Sequence, residues 1–268
     1  MEVFMGAWTP TRLMALKGKQ KIACVAAYDY AMARVLDEAG IHLILVGDSL
    51  AMTVLGHQTT LPVTMEDMLR HTAAVARGAR NALVVADMPF LSYQVSEEQA
   101  LMNAGRFIKE AGAGAVKIEG GAARASTVRR LVENGIPVLG HIGLMPQSIR
   151  ATGGYRVQGR SSGEVQRLVA DARALEKAGV FAVVVECVPA AAGARITRSV
   201  KIPTIGIGAG PSCDGQILVA HDMLGLYSDV TPHFARRYAD LGAKMKQAFA
   251  EYRKDVETGR FPGPENVY

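Results

Sequence analysis

IHLILVGDSLAMTVLGHQTTLPVT, residues 41–64, opens with an apolar run from Ile41 to Val46 broken only by His42. A run of that length and composition reads as a strand buried on both faces, the kind found in parallel sheets covered by helices. Gly47 then opens a turn, and Asp48 and Ser49 follow at the carboxyl end of the strand. In parallel α/β proteins, binding groups converge at that end. A carboxylate there is a ligand, a base or a cap for the next helix, and the rest of the chain must decide among these.

The same arrangement recurs. Strands are expected over Lys21–Ala27, Ala82–Ala86, Ala113–Ile118, Pro137–Gly140, Phe181–Val185, Ile202–Gly206 and Met223–Leu226. Between them lie helical stretches. One runs from Tyr30 to Gly40, which fits a C-cap. Another spans Thr64–Gly78, opened by Thr64 with Asp67 three residues on and closed by Gly78. Ser96–Ala111 carries Ser96, Glu97 and Glu98 at its start, as the helix dipole prefers. Ala122–Asn134, Gly163–Ala178, Ala190–Ser199, a short helix around Asp214–His221 and a long one over His233–Thr258 complete the series. Thr9-Pro10-Thr11 starts a further helix in the segment before Gln20 that could plug one end of a barrel. Eight strand candidates alternating with helices, with no linker between them, predict a single (β/α)₈ TIM barrel over residues 1–268 with an N-terminal capping helix. An open doubly wound sheet would more often show G-x-G-x-x-G after its first strand, which is absent.

Composition narrows the function. Of 268 residues, 49% are hydrophobic and 21% charged, an ordinary globular balance with ample core. The net charge of +5 comes from scattered basic residues, and aromatics are only 6%, so no basic patch interleaved with rings points to nucleic acid. No apolar stretch nears the ~20 residues that span a bilayer. Three cysteines without a C-x-x-C pair, and no signal peptide, predict a reduced, cytoplasmic setting. Cys24 and Cys187 sit in or beside apolar runs and read as core residues rather than nucleophiles.

Five successive strand candidates end in an ionisable residue: Asp48, Asp87, Glu119, His141 and Glu186. Any one alone reads as a cap or a solvated loop residue. A barrel, however, gathers its strand ends into one ring, so together they predict a pocket at the C-terminal face. Several carboxylates there would repel unless a cation sits between them, and a hard divalent ion such as Mg²⁺ with oxygen ligands is the simplest answer. Lys117 lies two residues before Glu119, so both point the same way from their strand. Lys117 is either a salt-bridge partner for these acids or a clamp for an anionic substrate, and the sequence leaves both open. His57 belongs to a loop over the pocket mouth. The glycine-rich IGIGAGPSCDGQ after the seventh strand lacks a Walker lysine and could admit a phosphate or any flat ligand.

GDSLAMTVLGHQTTLPVT, VVADMPFLSY, VKIEGG, GHIGLMPQS, GGYRVQGR, VVECVP and IPTIGIGAGPSCDGQILVAHDMLGL occur in this order between about Thr11 and Phe261. Together they resemble the ketopantoate (3-methyl-2-oxobutanoate) hydroxymethyltransferase family of pantothenate biosynthesis. The resemblance implies transfer of a hydroxymethyl group from 5,10-methylenetetrahydrofolate to 3-methyl-2-oxobutanoate through a Mg²⁺-stabilised enolate. It implies Mg²⁺ at Asp48, Asp87 and Glu119, partly through water. Substrate would be held by Asp48, Ser49, Asp87, Lys117 and His141, and Glu186 would be the general base. It also implies a folate contribution from Gly206–Gln216 and a homo-oligomer, usually a decamer. Its partners would be small molecules, with neither nucleic acid nor membrane. Ala51 stands where the family usually has glycine, Ala26 where threonine is common, and the tail FPGPENVY departs from the usual FPxxEHSF. None of these touches an implied ligand or base. The rival activity is a Mg²⁺-dependent C–C lyase or mutase of the phosphoenolpyruvate mutase/isocitrate lyase type. Those lyases tend to carry a K-K-C-G-H-type motif, which is missing. A non-catalytic keto-acid binder would not need Glu186.

Overall fold

A computed structural model of the chain describes residues 7–226 and 232–268. Residues 1–6 of the expected N-terminal segment lie outside the described residues. Eight parallel strands close into a barrel in sequence order: β1 (Ile22–Ala26), β2 (Leu43–Val46), β3 (Leu83–Asp87), β4 (Ala115–Glu119), β5 (Val138–Gly143), β6 (Ala182–Glu186), β7 (Thr204–Ile207) and β8 (Gly215–Val219). The helices are α1 (Pro10–Met14), α2 (Tyr30–Glu38), α3 (Leu50–Thr53), α4 (Met65–Gly78), α5 (Glu97–Lys109), α6 (Ala125–Glu133), α7 (Ile149–Thr152), α8 (Ser162–Ala178), α9 (Ala190–Ser199), α10 (Ala220–Leu224) and α11 (Leu241–Glu257). This is the expected (β/α)₈ architecture. The chain divides into two compact units, Met1–Leu218 and Val219–Tyr268. The first contains β1–β7 and nearly all of β8. In the second, α10 ends at a left-handed Gly225, and Asp240 caps α11 by accepting from the Ala243 N–H. No helix among the described residues is long and apolar enough to cross a membrane.

Strands β2, β3 and β4 are buried along their whole length, the charged Asp87, Lys117 and Glu119 included, with helices outside and core inside. The helices start where their sequences direct. Thr64 and Asp67 form a reciprocal capping box on α4, Ser96 caps α5, and Ser161 with Glu164 forms a second box on α8. Gly78 does more than close its helix. It is the last residue of α4, as expected, and a Cβ there would come within 2.6 Å of the Tyr30 carbonyl and 2.9 Å of the Ala33 Cβ. Its lack of a side chain lets α4 press against α2.

At the amino-terminal end of the barrel, α1 is capped by Thr9 and begins on Pro10, and it buries Leu13. Trp8 stacks on His42 just before β2, and its N–H reaches the Asn81 carbonyl just before β3. Lys17 pairs with Asp214 at 2.7 Å. Together these contacts make α1 the expected cap.

The last strand is a correction. Asp214–His221 is not a helix, and Met223–Leu226 is not a strand. Strand β8 occupies Gly215–Val219, helix α10 follows at once, and residues 208–214 join β7 to β8 without a helix. The Asp214 carboxylate accepts from Lys17, from the Thr204 N–H and from the Thr204 hydroxyl, while its carbonyl accepts from the Ile22 N–H. These bonds anchor the chain at the start of β7 and β1, leaving GQILV only one course, alongside them. The final helix is also shorter than expected, starting at Leu241 rather than His233.

Asp37 on α2 accepts from the Asn81 N–H (2.8 Å), the Ala82 N–H (2.7 Å) and the Asn81 side-chain amide (3.0 Å), tying α2 to the entry of β3. Burial alone would raise its pKa, but these donors outweigh it and hold the carboxyl below its usual value. Asp37→Ala should cost about 1–3 kcal/mol in urea unfolding at neutral pH. Because the folded value is depressed, the contribution is present above the unfolded value and lost as pH falls through the folded one. The gap between the two proteins should therefore narrow in acid.

Candidate active site

The carboxyl ends of β2 to β6 bring one connected group of charged side chains together. Asp87 is the last residue of β3, Lys117 and Glu119 share a face of β4, His141 lies on β5, and Glu186 ends β6. Asp48 stands two residues past β2. The register sets these heights: Asp87 pairs with Lys117, Glu119 with His141, and Gly143 with Glu186. His141 is therefore inside its strand rather than at its end, because β5 continues to Gly143 along β6. Gly143 has φ +98°, and a Cβ on it would sit 2.2 Å from the Glu186 carbonyl oxygen. Only glycine lets the two strands close up there. Cys187, immediately after the base candidate, holds a left-handed φ of 50°.

The contacts run in sequence around the ring. The Asp48 N–H donates to Asp87 Oδ2 at 3.2 Å. Lys117 Nζ lies 2.8 Å from both Asp87 oxygens and 3.6 Å from Glu119 Oε1. His141 Nδ1 is 3.4 Å from Glu119 Oε1, and its Nε2 is 3.2 Å from Glu186 Oε2. These two are ion-pair distances without hydrogen-bond geometry, so both ring nitrogens and Glu119 Oε1 lack a hydrogen-bond partner. Ser49, half-buried, has its hydroxyl 2.8 Å from the Tyr28 hydroxyl. His57 is exposed in the loop after α3, as expected.

Charge governs the site. Burial, then Asp87 and Glu119, push the Asp48 carboxyl well above its ordinary value. Burial also raises Asp87, against the pull of Lys117. For Glu119, burial acts upward but Lys117 and His141 outweigh it, and the net shift is down. Lys117 is itself raised: burial opposes its charge, yet Asp87, Glu119 and Asp48 more than compensate. The salt-bridge alternative for Lys117 is thus the arrangement found. Cys187 keeps its proton, with burial and then Glu186 raising its thiol to about 12, so it is no nucleophile.

These residues fit a hard divalent cation by donor chemistry and charge. Three buried carboxyls face one lysine, two of them are raised toward protonation, and Glu119 Oε1 is a buried acceptor without a hydrogen-bond partner. Among the described residues no three His, Cys, Asp or Glu side chains close on one point tightly enough to hold an ion as they stand. The fit therefore rests on charge and oxygen donors rather than on a finished cage.

Sequence analysis left Gln147 and Tyr93 without a role. Both are buried here. Gln147 Nε2 donates to Asp48 Oδ2 and the Met88 carbonyl, and Gln147 Oε1 accepts from the Tyr93 hydroxyl. Gln147 lies in GHIGLMPQS and Tyr93 closes VVADMPFLSY, but nothing in either motif says that the two would meet.

The ketopantoate hydroxymethyltransferase family model matches residues 7–264. The 3-methyl-2-oxobutanoate hydroxymethyltransferase of Carboxydothermus hydrogenoformans is 57% identical over 249 residues, 93% of this chain and 90% of that protein. The enzyme of the same name from Syntrophus aciditrophicus is 55% identical over 257 residues, 96% of this chain and 94% of its own. Among solved structures, phosphonopyruvate hydrolase in complex with oxalate and Mg²⁺ superimposes with a TM-score of 0.64 at 14% identity, covering 97% of this chain and 93% of that one. At that identity the likeness is one of fold.

His141 is held charged. Burial and Lys117 act against its proton, but Glu119 and Glu186 prevail and raise its pKa to about 9. In chelator-containing buffer its ring protons should titrate by NMR near that value rather than near the usual ~6.5. The folded value is the higher one, so its stabilising contribution is complete below the unfolded pKa and disappears as pH rises through about 9. A His141→Gln variant should lose that alkaline decline, and an unchanged decline would assign it to another group.

Proposed function

The chain belongs to the ketopantoate hydroxymethyltransferase family, and from that premise we propose how its site carries out the reaction. The protein is an enzyme of pantothenate biosynthesis that adds a hydroxymethyl group to 3-methyl-2-oxobutanoate. We assign 5,10-methylenetetrahydrofolate as the one-carbon donor. Asp48, Asp87 and Glu119 would hold Mg²⁺, which when bound supplies a Lewis acid for the keto oxygen.

The chain's own groups then divide the work. Lys117 is already placed among the acids, and its ammonium offsets the negative charge of the keto-acid carboxylate and of the carbon that loses its proton. Ser49, backed by Tyr28, offers the substrate a hydroxyl at the start of α3. Asp48, Asp87 and His141 line the remainder of the pocket. Glu186 takes the proton from C3, and the electron pair left there bonds to the methylene carbon of the folate. Both C–N bonds of that carbon break in the overall reaction, one water supplies the new hydroxyl oxygen, and the two nitrogens take up protons, releasing ketopantoate and tetrahydrofolate.

One observation supports Glu186 as the base over Glu119. The Glu186 side chain is 16% exposed, while those of Asp87, Glu119 and His141 are 2–3% exposed. An incoming carbon can reach Glu186, whereas Glu119 is enclosed by Lys117, His141 and Gln147. The imidazolium of His141 holds one Glu186 oxygen and leaves the other for the substrate. We further propose that residues 1–268 act as one catalytic domain, in the cytoplasm, within a homo-oligomer whose expected size is a decamer.

The test is solvent exchange. With Mg²⁺ and 3-methyl-2-oxobutanoate in D₂O, without folate, the C3 proton signal should fade in NMR as the enzyme exchanges it. Glu186→Gln should retain metal and keto-acid binding but lose this exchange by about 10²–10⁴-fold, the usual worth of a positioned base. Loss of metal binding instead would make Glu186 a ligand and Glu119 the base.

A further inference from the structure

We infer that Gln147, with its amide sense fixed by the Met88 carbonyl and supported by Tyr93, is a positioning residue that makes the site select a small octahedral cation over a larger one. The inference rests on the reading of Asp48, Asp87 and Glu119 as cation ligands. It concerns which of their oxygens remain to be offered.

The bonding capacity of Gln147 is fully used. Nε2 donates to Asp48 Oδ2 at 3.1 Å and to the Met88 carbonyl at 2.9 Å. Oε1 accepts from the Tyr93 hydroxyl at 2.8 Å and from Gln94 Nε2 at 3.2 Å. Two donors and two acceptors are all that an amide has, so nothing remains to bind substrate. The orientation of the amide is not free either. The Met88 carbonyl can only accept, which puts Nε2 on the Asp48 side. The Tyr93 hydroxyl accepts from the Glu119 N–H at 3.2 Å, and its single proton has Oε1 at 2.8 Å as a closer acceptor than the Glu119 carbonyl at 3.3 Å.

The consequence falls on the three acids together. Asp48 Oδ2 is committed to the Gln147 side chain, and Glu119 Oε2 accepts from the Gln147 backbone N–H at 3.1 Å. Both oxygens of Asp87 lie on Lys117, and Oδ2 also accepts from the Asp48 N–H. Each carboxylate therefore has at least one oxygen held by a protein donor, which disfavours two-oxygen chelation. Mg²⁺ and ions like it accept one oxygen per carboxylate in an octahedron and keep several waters. Ca²⁺ takes up to eight oxygens and gains from bidentate carboxylates. Of the holding donors, the Gln147 amide can be removed without deleting a charge.

Full-length protein with 3-methyl-2-oxobutanoate would be titrated with Mn²⁺, followed by the free-ion EPR signal, and the bound Mn²⁺ then displaced with Ca²⁺. Gln147→Met, similar in size but without a donor, should lower the preference for Mn²⁺ over Ca²⁺ by about 10–100-fold, as loss of a group orienting a ligand does. Tyr93→Phe, which keeps the amide and its Met88 bond but removes the closer donor to Oε1, should shift the ratio the same way by less, and the double variant no further than Gln147→Met. If Gln147→Met does not fold, the Tyr93→Phe ratio carries the test. Equal losses for both ions, with the ratio unchanged, would make Gln147 a packing residue and overturn the inference. A shift in Tyr93→Phe without one in folded Gln147→Met would overturn it too, since Tyr93 would then act through Glu119. Wild-type protein that takes up no Mn²⁺ beside the keto acid would instead overturn the ligand reading itself.

Discussion

A lysine buried among acids sets the terms for this molecule. Lys117 Nζ lies on both oxygens of Asp87 and near Glu119, with side chains only 2–5% exposed. Water screens none of it. Removing one member of such a pair leaves an uncompensated buried charge, at a cost of about 3–5 kcal/mol. The surrounding groups must therefore hold fixed positions, and the barrel ensures that they do. Each charged side chain stands on, or just past, a strand whose height is set by the register with its neighbour. No residue of the ring depends on a long loop for its place.

The compensation stops short, and that shortfall is useful. Asp48 is pushed toward protonation, and Glu119 keeps an oxygen without a hydrogen-bond partner. A pocket that satisfied every group would have no reason to bind a cation or an anionic keto acid. Here Lys117, His141 and the Gln147 amide stabilise part of the negative charge and leave the rest for ligands. The division of exposure works the same way, with the enclosed acids around Lys117 and the accessible one at the end of β6.

Much of this was legible in the chain. The apolar runs and the caps at Thr9, Thr64 and Ser96 mark their elements, since capping and burial are local or nearly so. The five ionisable residues were visible because each follows an apolar run. The last strand was not. GQILV has no charge or cap that separates a strand from a short helix, and its state is decided by Asp214 bonding to Thr204, Lys17 and Ile22, residues far away in sequence. Gly78 ends its helix as the sequence indicates, but its second role, close packing against α2, could not be read until the partner was known.

The sequence by itself determined the barrel, the set of charged groups at its carboxyl face and, through its motifs, the family. Those features depend on the order of apolar and polar residues along the chain. Tertiary structure decided that Lys117 is paired, which glutamate stays accessible, that β5 carries His141 within it, and that Gln147 and Tyr93 join Asp48 to Glu119. Each of these depends on distances between strands, and such distances are set by register and by close approaches like that of Gly143 to Glu186. Periodicity within one segment carries no information about its height against the next.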